Sequence, residues 1–217
     1  MFGDRLDNVL MGTILGDAYL QNTGKQNARL RLEHGLKQES YLLWKVRELE
    51  KVFQGKVTYL SREHPKTKQT YHYVRYQTYA YEFLGTLRKM FYPRGKKQIP
   101  ECLAEITNPL MLAVWYMDDG YYDSRHNSAY LYLGTTARLE AEIAQHAIQS
   151  KLKIENKVKD LKKKGFALYF SPRETRKLKN EIKNHVLPFF FYKLPLDPVT
   201  TEGFKPEIES YEQNAQI

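Results

Sequence analysis

The hydrophobic positions along the chain follow the same succession twice. Leu10 to Ala18 (LMGTILGDA) and Leu112 to Gly120 (LAVWYMDDG) are apolar segments of helical character, each closing on acid. An alternating stretch follows each one. Ala28 to His34 puts Leu30 and Leu32 on one face and Arg29, Arg31 and Glu33 on the other, and Ser128 to Leu133 alternates likewise. Then comes an amphipathic helix, with Leu42, Val46, Leu49 and Phe53 on one face and Gly55 as its stop. Its counterpart opens at Thr135-Thr136 and carries Leu139, Ile143 and Ala147. A second strand pair follows in each half: Lys56 to Leu60 with Tyr71 to Thr78, and Lys157 to Leu161 with Gly165 to Phe170. Further helices cover Tyr79 to Phe91 and Pro172 to Val186, and the halves close on Lys97-Gln98-Ile99-Pro100 and Lys193-Leu194-Pro195.

This period is far longer than a solenoid repeat. The pattern predicts an α+β protein of two pseudo-symmetric halves, residues 1–104 and 105–202, with a flexible tail over 203–217.

Composition narrows the chemistry. With 217 residues, 42% hydrophobic and 27% charged, the chain can bury a core. No apolar run reaches the roughly 18 residues of a membrane span. The N-terminus lacks the basic and apolar regions of a secretory signal, which predicts an intracellular protein. A single cysteine, Cys102, excludes an internal disulfide and a cysteine-based zinc site. The net charge of +9 and the 17 tyrosines favour a nucleic acid over an anionic membrane as partner.

The two acids stand out. A helix's last turn favours cations, yet Asp17, Asp118 and Asp119 sit there. If the two apolar helices pack side by side through Gly12 and Gly16, Asp17 and Asp119 emerge together. Carboxylates so close repel unless a divalent cation lies between them, and oxygen ligands suit Mg²⁺. Such an ion can bind a scissile phosphate and activate water. Lys97 and Lys193 occupy equivalent places and could stabilise the phosphate's transition-state charge.

These residues resemble a known family. Leu10 to Ala18 and Leu112 to Gly120 look like the two LAGLIDADG motifs of a single-chain homing endonuclease. The second, Trp115-Tyr116-Met117-Asp118-Asp119-Gly120, is similar to the W-x-M-D-D-G subclass of intron-encoded meganucleases. The resemblance implies two αββαββα units packed through the motif helices, with saddle-shaped antiparallel sheets in the DNA major groove. It implies metal binding by Asp17 and Asp119, with backbone carbonyls of Gly16 and Asp118, and catalytic lysines at Lys97 and Lys193. It further implies Mg²⁺-dependent cutting of both strands at a long asymmetric site, leaving 3′ overhangs. Mn²⁺ should substitute, and Ca²⁺ should support binding without cleavage. Two positions depart from the family pattern: Val114, where a small residue is usual, and Asp118, where Gly or Ala is.

Arginine and glutamine can read guanine and adenine in the major groove, so Arg29, Arg31, Arg75 and Gln77 are the base-contact candidates, with Glu33 and Tyr73 beside them. Tyr130, Tyr132, Lys157 and Lys159 are the second half's equivalents. Lys162-Lys163-Lys164 suits a hairpin tip gripping phosphate. A zinc-protease motif, a Walker phosphate loop and an RRM aromatic signature are all missing. The expected partner is double-stranded DNA and the expected state a monomer. A prokaryotic cytoplasm or an organelle is the expected setting. The alternatives are a maturase that holds intron RNA on the same fold and a catalytically silent DNA-binding regulator.

Overall fold

The computed structural model describes residues 4–195; the tail proposed over 203–217 and the last residues assigned to the second half lie outside them. Two helices run through the centre, α1 (Asp4–Leu15) and α5 (Pro109–Asp119). Asn108 caps α5, its side chain accepting from the Met111 amide at 3.0 Å, and Pro109 occupies the first turn, where no amide is needed. Every residue from Leu110 to Met117 is buried, as a helix apolar all round requires.

After α1 the chain forms β1 (Tyr19–Asn22), β2 (Ala28–Gly35), α2 (Glu39–Leu49), β3 (Gly55–Glu63), β4 (Thr70–Thr78) and α3 (Glu82–Phe91). A short α4 (Leu103–Ile106) leads into α5. The second half repeats the order: β5 (Gly120–Asp123), β6 (Ser128–Gly134), α6 (Arg138–Leu152), β7 (Lys157–Asp160), β8 (Phe166–Phe170) and α7 (Pro172–Ile182). A 3-10 helix over Pro188–Lys193 closes it. Each half contains one antiparallel four-stranded sheet, ordered β1-β2-β4-β3 and β5-β6-β8-β7. The inward residues of both sheets share a single core with the central helices. No helix among the described residues is long and apolar enough to cross a membrane.

Three local expectations need correction. Helix α2 ends at Leu49 rather than running to Gly55. Gly55 opens β3 instead, where a Cβ would come within 2.5 Å of the Gln77 carbonyl oxygen, so the strand can start there only without a side chain. On α6 the buried stripe is Ala141, Ala144, Ala147 and Ile148, while Leu139 is exposed. Helix α4 packs against α6. Helix α3 begins at Glu82, because Tyr81 is held extended by paired backbone bonds with Ala28.

The small-residue helix contact forms with a specific asymmetry. A Cβ on Gly12 would lie 2.8 Å from the Val114 Cβ, and one on Gly16 would lie 2.6 Å from the Asp118 Cβ. Motif position three thus faces position three, and seven faces seven, with one glycine and one larger residue in each pair. The two departures from the family pattern fill the notches left by the two glycines.

Candidate active site

Asp17 and Asp119 stand at the C-terminal ends of the two central helices. Burial pushes the Asp119 carboxyl up to about 7, and the negative charges of Asp17 and Asp118 add to that. Asp17 is raised by burial first and then by the Asp118 charge, against Lys45, His34 and Lys97. Asp119 feels the charge of Asp17, both acids feel that of Asp118, and this shared environment favours an added cation. Two carboxylates in such a field are a fitting donor set for a hard divalent ion.

The helix dipoles are answered by cations from far along the chain. Lys97 Nζ donates to the Gly16 carbonyl oxygen, with Ala18 O at 3.5 Å. Lys193 Nζ donates to Met117 O at 2.7 Å and to Asp118 O at 3.2 Å. Each ammonium therefore caps the end of one motif helix. Burial lowers both lysines, while the nearby aspartates oppose that. The Gly16 and Asp118 carbonyls, candidates for metal contact, are the very oxygens these ammoniums occupy. Lys193 is held from behind, since Tyr116 donates to its carbonyl at 2.9 Å.

Asp118 behaves differently from its neighbour. Its side chain is fully buried and accepts from Lys45 Nζ at 2.7 and 2.9 Å, from the Tyr41 hydroxyl at 2.8 Å and from the Asp17 amide at 3.1 Å. It does not face water. Lys45 and Tyr41 belong to α2 of the first half, so this ion pair crosses the interface. His34, buried at the end of β2, sits 3.5 Å from Lys45 Nζ and places Nδ1 3.8 Å from Asp17 Oδ2. Burial and the Lys45 charge lower its pKa, favouring neutral imidazole. Among the described residues Asp17, His34 and Asp118 also form a group close enough to hold a metal, though Lys45 already satisfies Asp118.

On the other side, Lys97, Trp115, Asp119, Tyr132 and Thr136 line a cleft. The Trp115 Nε1 and Thr136 Oγ1 atoms are buried there without a hydrogen-bond partner.

The strand register places the other candidates on the outward faces. Arg31 lies opposite Gln77, Glu33 opposite Arg75, and Tyr19 opposite Arg31. In the second sheet Tyr130 lies opposite both Tyr121 and Tyr169, and Lys157 opposite Tyr169. Glu33 accepts from Arg31 at 2.8 Å and from Arg75 at 3.0 Å, so it positions guanidiniums rather than waiting for a base. Partial burial works against its charge, but the two arginines outweigh that and hold the carboxyl below its ordinary value. Lys162 to Lys164 form an exposed 3-10 turn before Gly165.

Residues 7–178 match the family described as LAGLIDADG DNA endonuclease. The chain belongs to this family. Among solved structures, this LAGLIDADG protein is similar in fold to the homing endonuclease I-WcaI bound to its DNA recognition sequence. The TM-score is 0.81 at 23% identity, covering 91% of this chain and 88% of that one. I-DmoI in complex with DNA and Mn shares the fold at TM-score 0.53 and 15% identity, covering 85% of this chain and 99% of that one. Among curated relatives, a protein named RecA from Mycobacterium shimoidei is 26% identical over 208 residues, 89% of this chain and 47% of that protein. The chain thus spans about half the length of the curated relatives it matches. A cytochrome b mRNA maturase, bI2 of Debaryomyces hansenii, is 28% identical over 121 residues, 52% of this chain and 44% of that protein.

Sequence reasoning missed His34, Tyr41 and Lys45. The signals were present. His34 continues the inward register of Ala28, Leu30 and Leu32, and Lys45 sits at four-residue steps between Tyr41 and Leu49 on a buried helix face. A polar residue in an apolar register is a mark of a buried contact.

Proposed function

We propose that this chain is a site-specific double-strand DNA endonuclease, with Asp17 and Asp119 as its metal-binding acids. The observation that carries the reading is the placing of two acids at the ends of packed helices, each helix end holding a lysine ammonium, in a chain with one four-stranded sheet in each half. A divalent ion bound there supplies charge to activate water and to stabilise a leaving oxygen. Mg²⁺ is the proposed ion, with Mn²⁺ as a substitute and Ca²⁺ supporting binding alone; the solved I-DmoI complex with Mn supports divalent chemistry. Asp17 and Asp119 hold that ion, with Gly16 O and Asp118 O as further oxygens that Lys97 and Lys193 share.

Lys97 and Lys193 place positive charge where a phosphate between the helices becomes more negative. The sheets carry Arg29, Arg31, Tyr73, Arg75 and Gln77 on one side and Tyr130, Tyr132, Lys157 and Lys159 on the other, to hold duplex DNA across the site. Both acids lie in one chain, so the working unit is a monomer, in a prokaryote or an organelle. The maturase relative favours intron RNA as the second reading.

The test is digestion of a randomised duplex library with Mg²⁺, using the protein and its Asp119→Asn variant. Reproducible double-strand cuts at one long site, absent with the variant, are the expected result. Selective retention of structured RNA with no DNA cutting would favour the second reading.

A further inference from the structure

The two sheets differ in what they can read. Strands β1 to β4 carry four arginines and two glutamines, and Arg29, Arg31, Arg62, Arg75 and Gln77 share the outward face by register. Strands β5 to β8 contain no Arg, Asn or Gln at all. Their outward face is Tyr121, Tyr130, Tyr132 and Tyr169 with Lys157 and Lys159. The tyrosines form one aromatic surface, with the Tyr130 ring stacked 6.2 Å from Tyr132 and tilted 5.2 Å from Tyr169, and Lys159 lies over Tyr169.

This difference has a chemical consequence. Arginine and glutamine make paired hydrogen bonds to guanine and adenine, which other bases cannot reproduce. A tyrosine hydroxyl both donates and accepts, so it accommodates either kind of base edge. Its ring offers apolar contact such as a thymine methyl accepts. Lysine contributes mainly a point charge, which a phosphate satisfies.

Rigidity and reach separate the sheets in the same sense. Glu33 ties Arg31 and Arg75 together, with Arg62 at 3.7 Å, so the guanidiniums are oriented before DNA arrives. Strands β3 and β4 have nine residues each, whereas β7 and β8 have four and five. At about 3.3 Å per strand residue and about 3.4 Å per base pair, the longer hairpin follows roughly twice as many base pairs.

We infer that the two halves of the DNA site carry unequal information: the half-site under β1–β4 is strictly specified, and the half-site under β5–β8 is short and tolerant. The inference rests on the endonuclease reading and deepens it.

The test is a position-by-position preference profile, from binding in Ca²⁺ and from cutting in Mg²⁺, on libraries randomised around the selected site. Expected are preferences of about tenfold or more at several positions of one half-site and under about threefold through most of the other. Arg62→Ala and Arg75→Ala should each relax positions in the strict half only; Arg62 is well exposed, so its variant folds. Tyr130→Ala should weaken binding to all sequences by a similar factor. Equal strictness in both halves, or relaxation of the tolerant half by the arginine variants, would overturn the inference while leaving the endonuclease standing. A library neither cut nor selectively bound would overturn both.

Discussion

The Asp118 carboxylate and the Lys45 ammonium lie 2.7 Å apart, both fully buried, and come from opposite halves of the molecule. The carboxylate reaches Lys45 through the notch at Gly16 and on its way accepts from the Asp17 amide. One buried pair therefore joins the halves and fixes the backbone of a candidate metal-binding acid.

Breaking that pair from one side strands a buried charge. Lys45→Met should destabilise the protein by about 3–5 kcal/mol, read from denaturant unfolding. Adding Asp118→Asn to Lys45→Met should recover part of the loss, because no uncompensated charge then remains. Strict additivity of the two substitutions would refute the coupling.

The acid pair gives a pH dependence of known sign. Asp119 is held near 7 by burial and by its acidic neighbours, against about 3.9 for an unfolded aspartate. Between those values the folded state keeps a proton that the unfolded state has lost. Without metal, this group's stabilising contribution is full below pH 4 and is lost as pH rises through about 7. A divalent ion needs the ionised form, so it should raise the melting temperature more at pH 8 than at pH 6. In Asp119→Asn that difference should shrink markedly; an unchanged difference would assign it elsewhere.

Asp17→Asn and Asp119→Asn should each lower cutting at least about a thousandfold while duplex binding persists. A nicking and linearisation assay on a plasmid carrying the site, with binding measured in parallel, gives both readouts. Cutting of both strands at the parent rate by either variant would end the shared-metal assignment.

Removing either lysine separates chemistry from stability. Lys97→Met and Lys193→Met each delete an ammonium from a helix C-terminus, which should cost about 0.5–2 kcal/mol of stability. The cutting rate should fall by about a hundredfold or more with little change in binding. An equal fall in binding would make them DNA-holding residues instead.

Gly16→Ala would drive a methyl group into the Asp118 carboxylate and to 2.6 Å from its Cβ. Core overpacking of this kind costs about 1–3 kcal/mol, and here the buried pair must also shift. A melting temperature equal to the parent's would show that the helices can part.

Much of this was legible in the sequence because the chain states its fold twice. The apolar helices, the hairpins and the outward faces of Arg29 and Arg75 follow from periodicity and repeat, while the four-stranded sheets came from the family resemblance. What stayed hidden depends on long-range meeting. Periodicity shows Lys45 as an oddity in an apolar stripe, yet its partner is 73 positions away in the other half. The acids placed against the helix dipoles looked like broken rules. The structure gives the missing half of that rule: Lys97 and Lys193 deliver the cations from about 80 residues downstream.

The glycine-against-bulk arrangement of the central helices also decides who may pair with whom. Two copies of the first half would leave each buried Lys45 without the Asp118 carboxylate that neutralises it. Two copies of the second would bring two valines together and set two aspartates face to face. Only the mixed pair both fills the glycine notches and pairs that buried charge, so a chain severed between residues 101 and 108 would be expected to reassemble as a heterodimer. Joining two identical halves for a palindromic site would therefore first require the buried Lys45–Asp118 pairing to be redesigned.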